Sequence, residues 1–169
     1  MNKVSFLKIT SELLIIYLIW IECKRKEEEI DYSGWKKAHG NSNGNKYSSL
    51  TEIDTNNVNQ LQVAWEFHTN DADTAAHSQI QCNPIIVDGI MYFTSPMLTV
   101  FAVDAATGKQ KWMYSPYDTI TENKQGHFNL NNNRGVTFWS DGKDDKRIFY
   151  AAGPYLNCIN ATTGKLVTS

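Results

Sequence analysis

From Asn83 to Tyr114 apolar and polar positions alternate in short bursts. The stretch "NPIIVDGIMYFTS", 83–95, holds two apolar runs hinged at Asp88-Gly89. A two-residue Asp-Gly hinge closes a hairpin, because both of its positions accept positive φ. "LTVFAVD", 98–104, alternates again, "AATG" turns, and "KQKWMY", 109–114, makes a further run. The pattern predicts four short antiparallel strands in a meander from Pro84 to Tyr114. A second set follows: "GVTFW" from Gly135, the turn "SDGKDDK", "RIFYAA", "YLNCIN" and the turn "ATTGK", with a fourth strand only begun at Ser169. Upstream, "TEIDTNNVNQLQVAW", 51–65, is expected to hold a short helical turn with Thr55 as its N-cap, then a strand from Val63 to Phe67. No stretch has the apolar period of a long amphipathic helix.

One word recurs. "AVDAATGKQKW", Ala102 to Trp112, returns as "CINATTGKLVT", Cys158 to Thr168, and the two Thr-Gly pairs, at 107 and 163, stand 56 residues apart. Repeats of roughly 40–50 residues with four strands each are propeller blades. The Asn-rich insertion "TENKQGHFNLNNN", 121–133, accounts for the longer spacing here. Within the word, Asp104 is suited to accept N–H bonds across the turn. Gly108 supplies the positive φ that closes it. Trp112 is placed to lie flat in the seam between blades, where a large aromatic buries ~150–250 Å². The second copy carries Asn160 for the Asp and Thr168 for the Trp, so a weaker seam contact is expected there.

Composition changes this picture little. The chain is 41% hydrophobic with net charge -2, and it offers no basic patch for nucleic acid. Cys23, Cys82 and Cys158 are too few and scattered for a disulfide framework or a zinc site. Cys82 and Cys158 read as free core thiols, with their pairing as the alternative. The N-terminus is a separate matter. Lys3 and Lys8 precede "LLIIYLIWI", 13–21, a nine-residue apolar block too short for a ~30 Å bilayer core. The pattern is that of an export signal. Cys23 sits where a bacterial lipoprotein is acylated, although Glu22 stands where such signals carry a small residue. "KRKEEE", 24–29, reads as a solvated tether. The expected organisation is an export segment 1–23, a charged tether 24–34 and a β domain 35–169. Export to the periplasm, free or membrane-anchored, follows.

The repeated word resembles the tryptophan-docking motif of the quinoprotein dehydrogenases, eight-bladed propellers that use pyrroloquinoline quinone (PQQ). "WKKAHGNSNGNKYSSLTEIDTNNVNQLQVAW", Trp35 to Trp65, is similar to that family's opening segment. "NRGVTFW", 133–139, resembles its Asn-Arg-Gly-Val motif, and "DDKRIFYAAGPYLNCINATTGK", 144–165, resembles the next blade of the glucose-dehydrogenase-like branch. Docking words also occur in cofactor-free propellers, whereas the opening segment and Asn-Arg-Gly-Val mark the dehydrogenases. The resemblance covers about 31–165 and implies an all-β fold, the first four-stranded blades of an eight-bladed β-propeller. It also implies an incomplete chain, since a closed ring needs about four to eight blades. An isolated piece is then expected to expose strand edges and a blade face, and to aggregate or stay partly molten.

The resemblance implies a chemistry too. PQQ is a flat ortho-quinone with three carboxylates, held on the propeller axis with calcium as Lewis acid. A carboxylate base takes the hydroxyl proton of an alcohol or aldose sugar and the carbon gives hydride to the quinone; the cofactor carries the redox step. A membrane quinone or cytochrome c is the implied electron acceptor. Arg134 of the Asn-Arg-Gly-Val motif is the implied contact to the quinone or its carboxylates, guanidinium geometry being suited to a bidentate grip; a surface or seam ion pair is the alternative. Gln81, three residues before Pro84, stands where family members place a Glu or Gln that reaches the cofactor edge; the alternative is a solvated loop amide. Asn133 either helps hold Arg134 or is a turn residue. The catalytic Asp, the calcium ligands and the stacking Trp are expected beyond Ser169.

Other residues read as structural or incidental. His127 lies seven positions before Arg134, where the glucose branch has a His four before, at Leu130 here; His127 reads as a loop residue. Ala151 occupies a place where relatives often carry Thr near the cofactor. Trp35, Trp65, Trp112 and Trp139 are read as structural. "DGKDD", 141–145, is a hairpin turn lacking the ligand pattern of a calcium loop. The sequon "NAT", 160–162, falls inside the turn word and is incidental. The competing function is a cofactor-free propeller scaffold of the outer-membrane assembly type.

Overall fold

Two four-stranded antiparallel sheets, each a simple meander, account for the two repeats. A computed structural model describes residues 32–73, 75, 78–118 and 133–169. The export segment 1–23 with Cys23, the tether as far as residue 31, His127 and Leu130 lie outside the described residues. The first sheet is β1 (Ile85–Val87), β2 (Ile90–Thr94), β3 (Val100–Asp104) and β4 (Gln110–Tyr114), in that order. The second is β5 (Thr137–Ser140), β6 (Lys146–Ala152), β7 (Tyr155–Asn160) and β8 (Leu166–Thr168). The Asp88-Gly89 hinge joins β1 to β2 with φ of 51° and 76°, the double positive-φ turn that suits strand twist.

The period-two pattern decides what lies between the sheets. Ile85, Val87, Tyr92, Val100 and Ala102 face Ile148, Tyr150, Ala152 and Ile159 in one continuous core. The opposite face of the first sheet is covered as well. Phe93, Phe101 and Val103 pack there with Trp65 and Phe67, and the three phenyl rings lie 5.2–5.6 Å apart. The second sheet has no such cover among the described residues. Trp139 is 46% exposed, Leu156 65% and Val167 48%. That is the unburied blade face the sequence leads one to expect.

The two turn words share one core of bonds, to which Asn160 Oδ1 adds the Thr162 N–H at 3.1 Å. Asp104 Oδ1 accepts from the Thr107 backbone N–H (3.1 Å) and hydroxyl (2.9 Å). Asn160 Oδ1 accepts from the same groups of Thr163, at 2.9 and 3.0 Å. Gly108 N–H donates to Asp104 O at 2.8 Å, and Gly164 N–H to Asn160 O at 2.9 Å. A carbonyl-type oxygen on a short side chain serves the turn, so a carboxylate is not required. Onto each word docks the indole of the preceding repeat. Trp65 Nε1 donates to Ala105 O at 3.1 Å, and Trp112 Nε1 to Ala161 O at 3.0 Å. The second word therefore makes a seam contact equal to the first, not a weaker one. The tryptophan that docks on a turn belongs to the strand before it, so Thr168 bears on the open face instead.

Two further expectations are corrected. The helical turn is the 3-10 segment Val58–Gln60 with Asn57, not Thr55, at its N-cap. Asp54 organises it, its carboxylate accepting from the Asn56 and Asn57 backbone N–H groups at 2.7 and 3.2 Å. Val63–Phe67 is not a strand. The segment carries Trp65 in the place that Trp112 holds in β4, but no ladder partner lies beside it among the described residues.

The sheets meet as wedges. Near the first residues of β1 and β5, backbone touches backbone: Asn83 N–H donates to Arg134 O at 3.0 Å. Near β4 and the β7–β8 turn a whole indole, Trp112, separates them. The first strands are thus the narrow edge, as a propeller hub requires.

Candidate functional site

The narrow edge brings the sequence-derived candidates together. Residues 81–84 lead into β1 and residues 133–136 lead into β5, both at the same end of the sheets. Pro84 ends the first lead, and the residue before a proline is held extended, so Asn83 presents its peptide outward instead of coiling. The two leads are joined by two bonds to a single oxygen, Arg134 O. Asn83 N–H donates to it at 3.0 Å and Asn83 Nδ2 at 3.3 Å. Gly135, at φ +128°, lets this happen: a Cβ there would stand 2.7 Å from Asn83 O and 3.5 Å from Cys82 Sγ.

Each candidate has a definite place. Arg134 is exposed, and its backbone carbonyl is fixed by Asn83 at the narrow edge. Gln81 is half-buried, two residues from the Asn83 contact. Asn133 is 9% exposed, and its side chain is engaged on both ends. Nδ2 donates to Ala151 O at 2.6 Å and Oδ1 accepts from Gly135 N–H at 2.6 Å. Asn133 thus holds the Arg134 loop down onto β6. Ala151 takes part through its carbonyl. Cys82 sits beside the site as a free, half-buried thiol whose sulfur accepts from Thr94 N–H at 3.2 Å; Cys158 is free and buried.

The remaining singled-out residues sit elsewhere. Trp35 O accepts from Ile86 N–H at 2.9 Å on the free edge of β1. Trp139 lies on the open face with the Arg147 guanidinium 5.8 Å from its ring. In "DGKDD", Asp141 Oδ1 accepts from Lys143 and Asp145 N–H at 2.8 and 3.2 Å, an internal turn network. Arg147 grips Asp145 at 2.7 Å and holds its carboxyl below the ordinary range. Asn160 of the sequon is spent on its own turn.

Sequence reasoning missed Asn83 and Gly135. The Gly of Asn-Arg-Gly-Val carries a readable signal, since a glycine beside a functional Arg marks close backbone approach. Asn83 carries none, because its partner is 51 residues away.

The candidate donors, a guanidinium and a carboxamide, belong to the two leads that meet at this edge. Guanidinium offers five N–H donors and no acceptor, which fits a carboxylate-rich ligand. Among the described residues no group of three His, Cys, Asp or Glu could hold a metal ion.

The model of the PQQ family described as glucose/ethanol/alcohol dehydrogenase, β-propeller domain, matches residues 35–169. The chain belongs to this family. Among curated members, it is 30% identical over 133 residues to a 1-butanol dehydrogenase (cytochrome c) of Thauera butanivorans, covering 79% of this chain and 18% of that protein. It is 36% identical over 124 residues to the dehydrogenase subunit of a quinone-linked alcohol dehydrogenase of Gluconacetobacter polyoxogenes, covering 73% and 15%. The crystal structure of a quinohemoprotein alcohol dehydrogenase from Comamonas testosteroni matches with TM-score 0.65 at 28% identity, over 82% of this chain and 19% of that one. The sheets are therefore β-propeller blades of the PQQ dehydrogenase family, and the chain spans less than a fifth of the length of these relatives.

Proposed function

We propose that these two blades belong to a PQQ-dependent dehydrogenase that oxidises an alcohol or an aldose, and that Arg134 and Gln81 hold the cofactor's acidic edge. The observation that carries the reading is the joining of their two loops at the hub edge through the Asn83–Arg134 bonds. Arg134 supplies a planar, permanently charged fork for a carboxylate. Gln81 supplies an amide donor alongside it. Asn133 holds the loop that carries the guanidinium. When bound, PQQ supplies a quinone that accepts the two electrons of alcohol oxidation. Among the described residues no group of three His, Cys, Asp or Glu is placed to hold calcium.

Several relatives are named for alcohols, one for 1-butanol and one for glucose. Their names support an alcohol or aldose substrate and a cytochrome or quinone acceptor. Export to the periplasm, with a membrane tether at the N-terminus, rests on the charge pattern of residues 1–23. A cofactor-free scaffold has no use for a fixed, exposed Arg at the hub edge.

The test is reconstitution of the gene's full-length product with PQQ and calcium, followed by quinone absorbance and dye reduction with an alcohol or glucose. Saturable binding is expected, weakened roughly a hundredfold in Arg134→Ala, the loss of a charge-assisted pair. Absence of saturable binding and of dye reduction in the full-length product would favour the scaffold.

A further inference from the structure

We propose that Asn83 is the positioning residue of this grip, acting on a bound carboxylate solely through the main chain of Arg134. The inference rests on the proposed cofactor reading. Its basis is that Arg134 O receives two donors from one residue across the blade boundary, the Asn83 backbone N–H at 3.0 Å and Nδ2 at 3.3 Å. On the far side of Arg134, Gly135 N–H is held by Asn133 Oδ1 at 2.6 Å, and Gly135 packs against Asn83 O with no room for a Cβ. The peptide that carries the guanidinium is thereby pinned from both blades, and only the side-chain torsions of Arg134 stay free. Preorganisation of this kind raises affinity by removing ordering costs from the binding step.

The chemistry of Asn83 makes the role separable from mere packing. Asn83→Asp keeps the shape but replaces the Nδ2 donor by an acceptor facing Arg134 O. Asn83→Ser keeps a donor on a shorter stem. PQQ titrations of both variants, of Arg134→Ala and of the Asn83→Asp/Arg134→Ala pair decide the matter. Asn83→Asp is expected to weaken binding roughly tenfold, and Asn83→Ser to stay within about threefold of wild type. In the Arg134→Ala background Asn83→Asp should change nothing further, because its route is gone. An equal loss in both backgrounds overturns the proposal. The titrations use the gene's full-length product; if its wild-type form fails to bind PQQ, the cofactor reading falls by itself. Amide exchange then judges the pinning without any cofactor. The Gly135 N–H should exchange roughly tenfold faster in Asn83→Asp than in Asn83→Ser, and equal rates would overturn it.

Discussion

The indole of Trp112 lies so close over Gly164 that a methyl group there would stand 2.7 Å from ring atom Cδ2. Trp65 stands over Gly108 at the same 2.7 Å. Each glycine thus serves twice, by its positive φ (71° and 72°) and by the bare Cα on which a ring rests.

Gly108→Ala and Gly164→Ala should each cost about 2–4 kcal/mol, the sum of a left-handed alanine and a displaced ring. Gly142, at φ +81° with nothing within 4 Å, is the control; Gly142→Ala should cost only the backbone part, about 1–2 kcal/mol. Urea midpoints or protease resistance measure both. Equal losses at 142 and 164 would remove the indole from the account.

The same seam should open in alkali. Tyr92 Oη donates to Ala161 O at 3.3 Å, beside the Trp112 bond. Burial, and secondarily the charge of Asp88, push its phenol from 10.0 up to about 12. A folded value above the unfolded one means that the stabilisation is complete below pH 10 and is lost as pH rises through 12. Absorbance at 295 nm read against tryptophan fluorescence should show the seam loosening in that window. Tyr92→Phe should reduce the loss, leaving the part due to Tyr150, whose phenol burial also pushes up.

The open face of the second blade should make the chain associate. Trp139, Leu156 and Val167 are the exposed apolar residues there. Leu156→Lys with Val167→Lys should shift sedimentation toward monomer and reduce binding of a hydrophobic dye. Unchanged association in that pair would place the sticky surface elsewhere.

Much of the fold was readable because period two and turn chemistry are local. Asp88-Gly89 announced its hairpin, and the Thr-Gly words announced their turns. What period cannot say is which neighbour a strand meets. Trp112 reads as a seam residue, but that it serves the word at 160–164 depends on the next repeat. Val63–Phe67 has the composition of a strand and the register of β4 without a ladder beside it among the described residues. At the candidate site, the Asn-Arg-Gly-Val resemblance singled out Arg134 and Asn133, and the place before Asn83-Pro84 singled out Gln81. Asn83 was not singled out, since a hydrogen bond spanning 51 residues leaves no mark on local pattern.

The docking geometry has a directional sense. In both contacts the earlier segment offers the ring and the following repeat receives it on an Ala-x-Thr-Gly shelf, at 105–108 and again at 161–164. Such contacts are head-to-tail. Tandem duplication can add a unit, or lose one, without new contact chemistry, because every ring meets the same shelf. How many units complete a circle is then left to the small rotation between neighbours, a quantity that no single contact encodes.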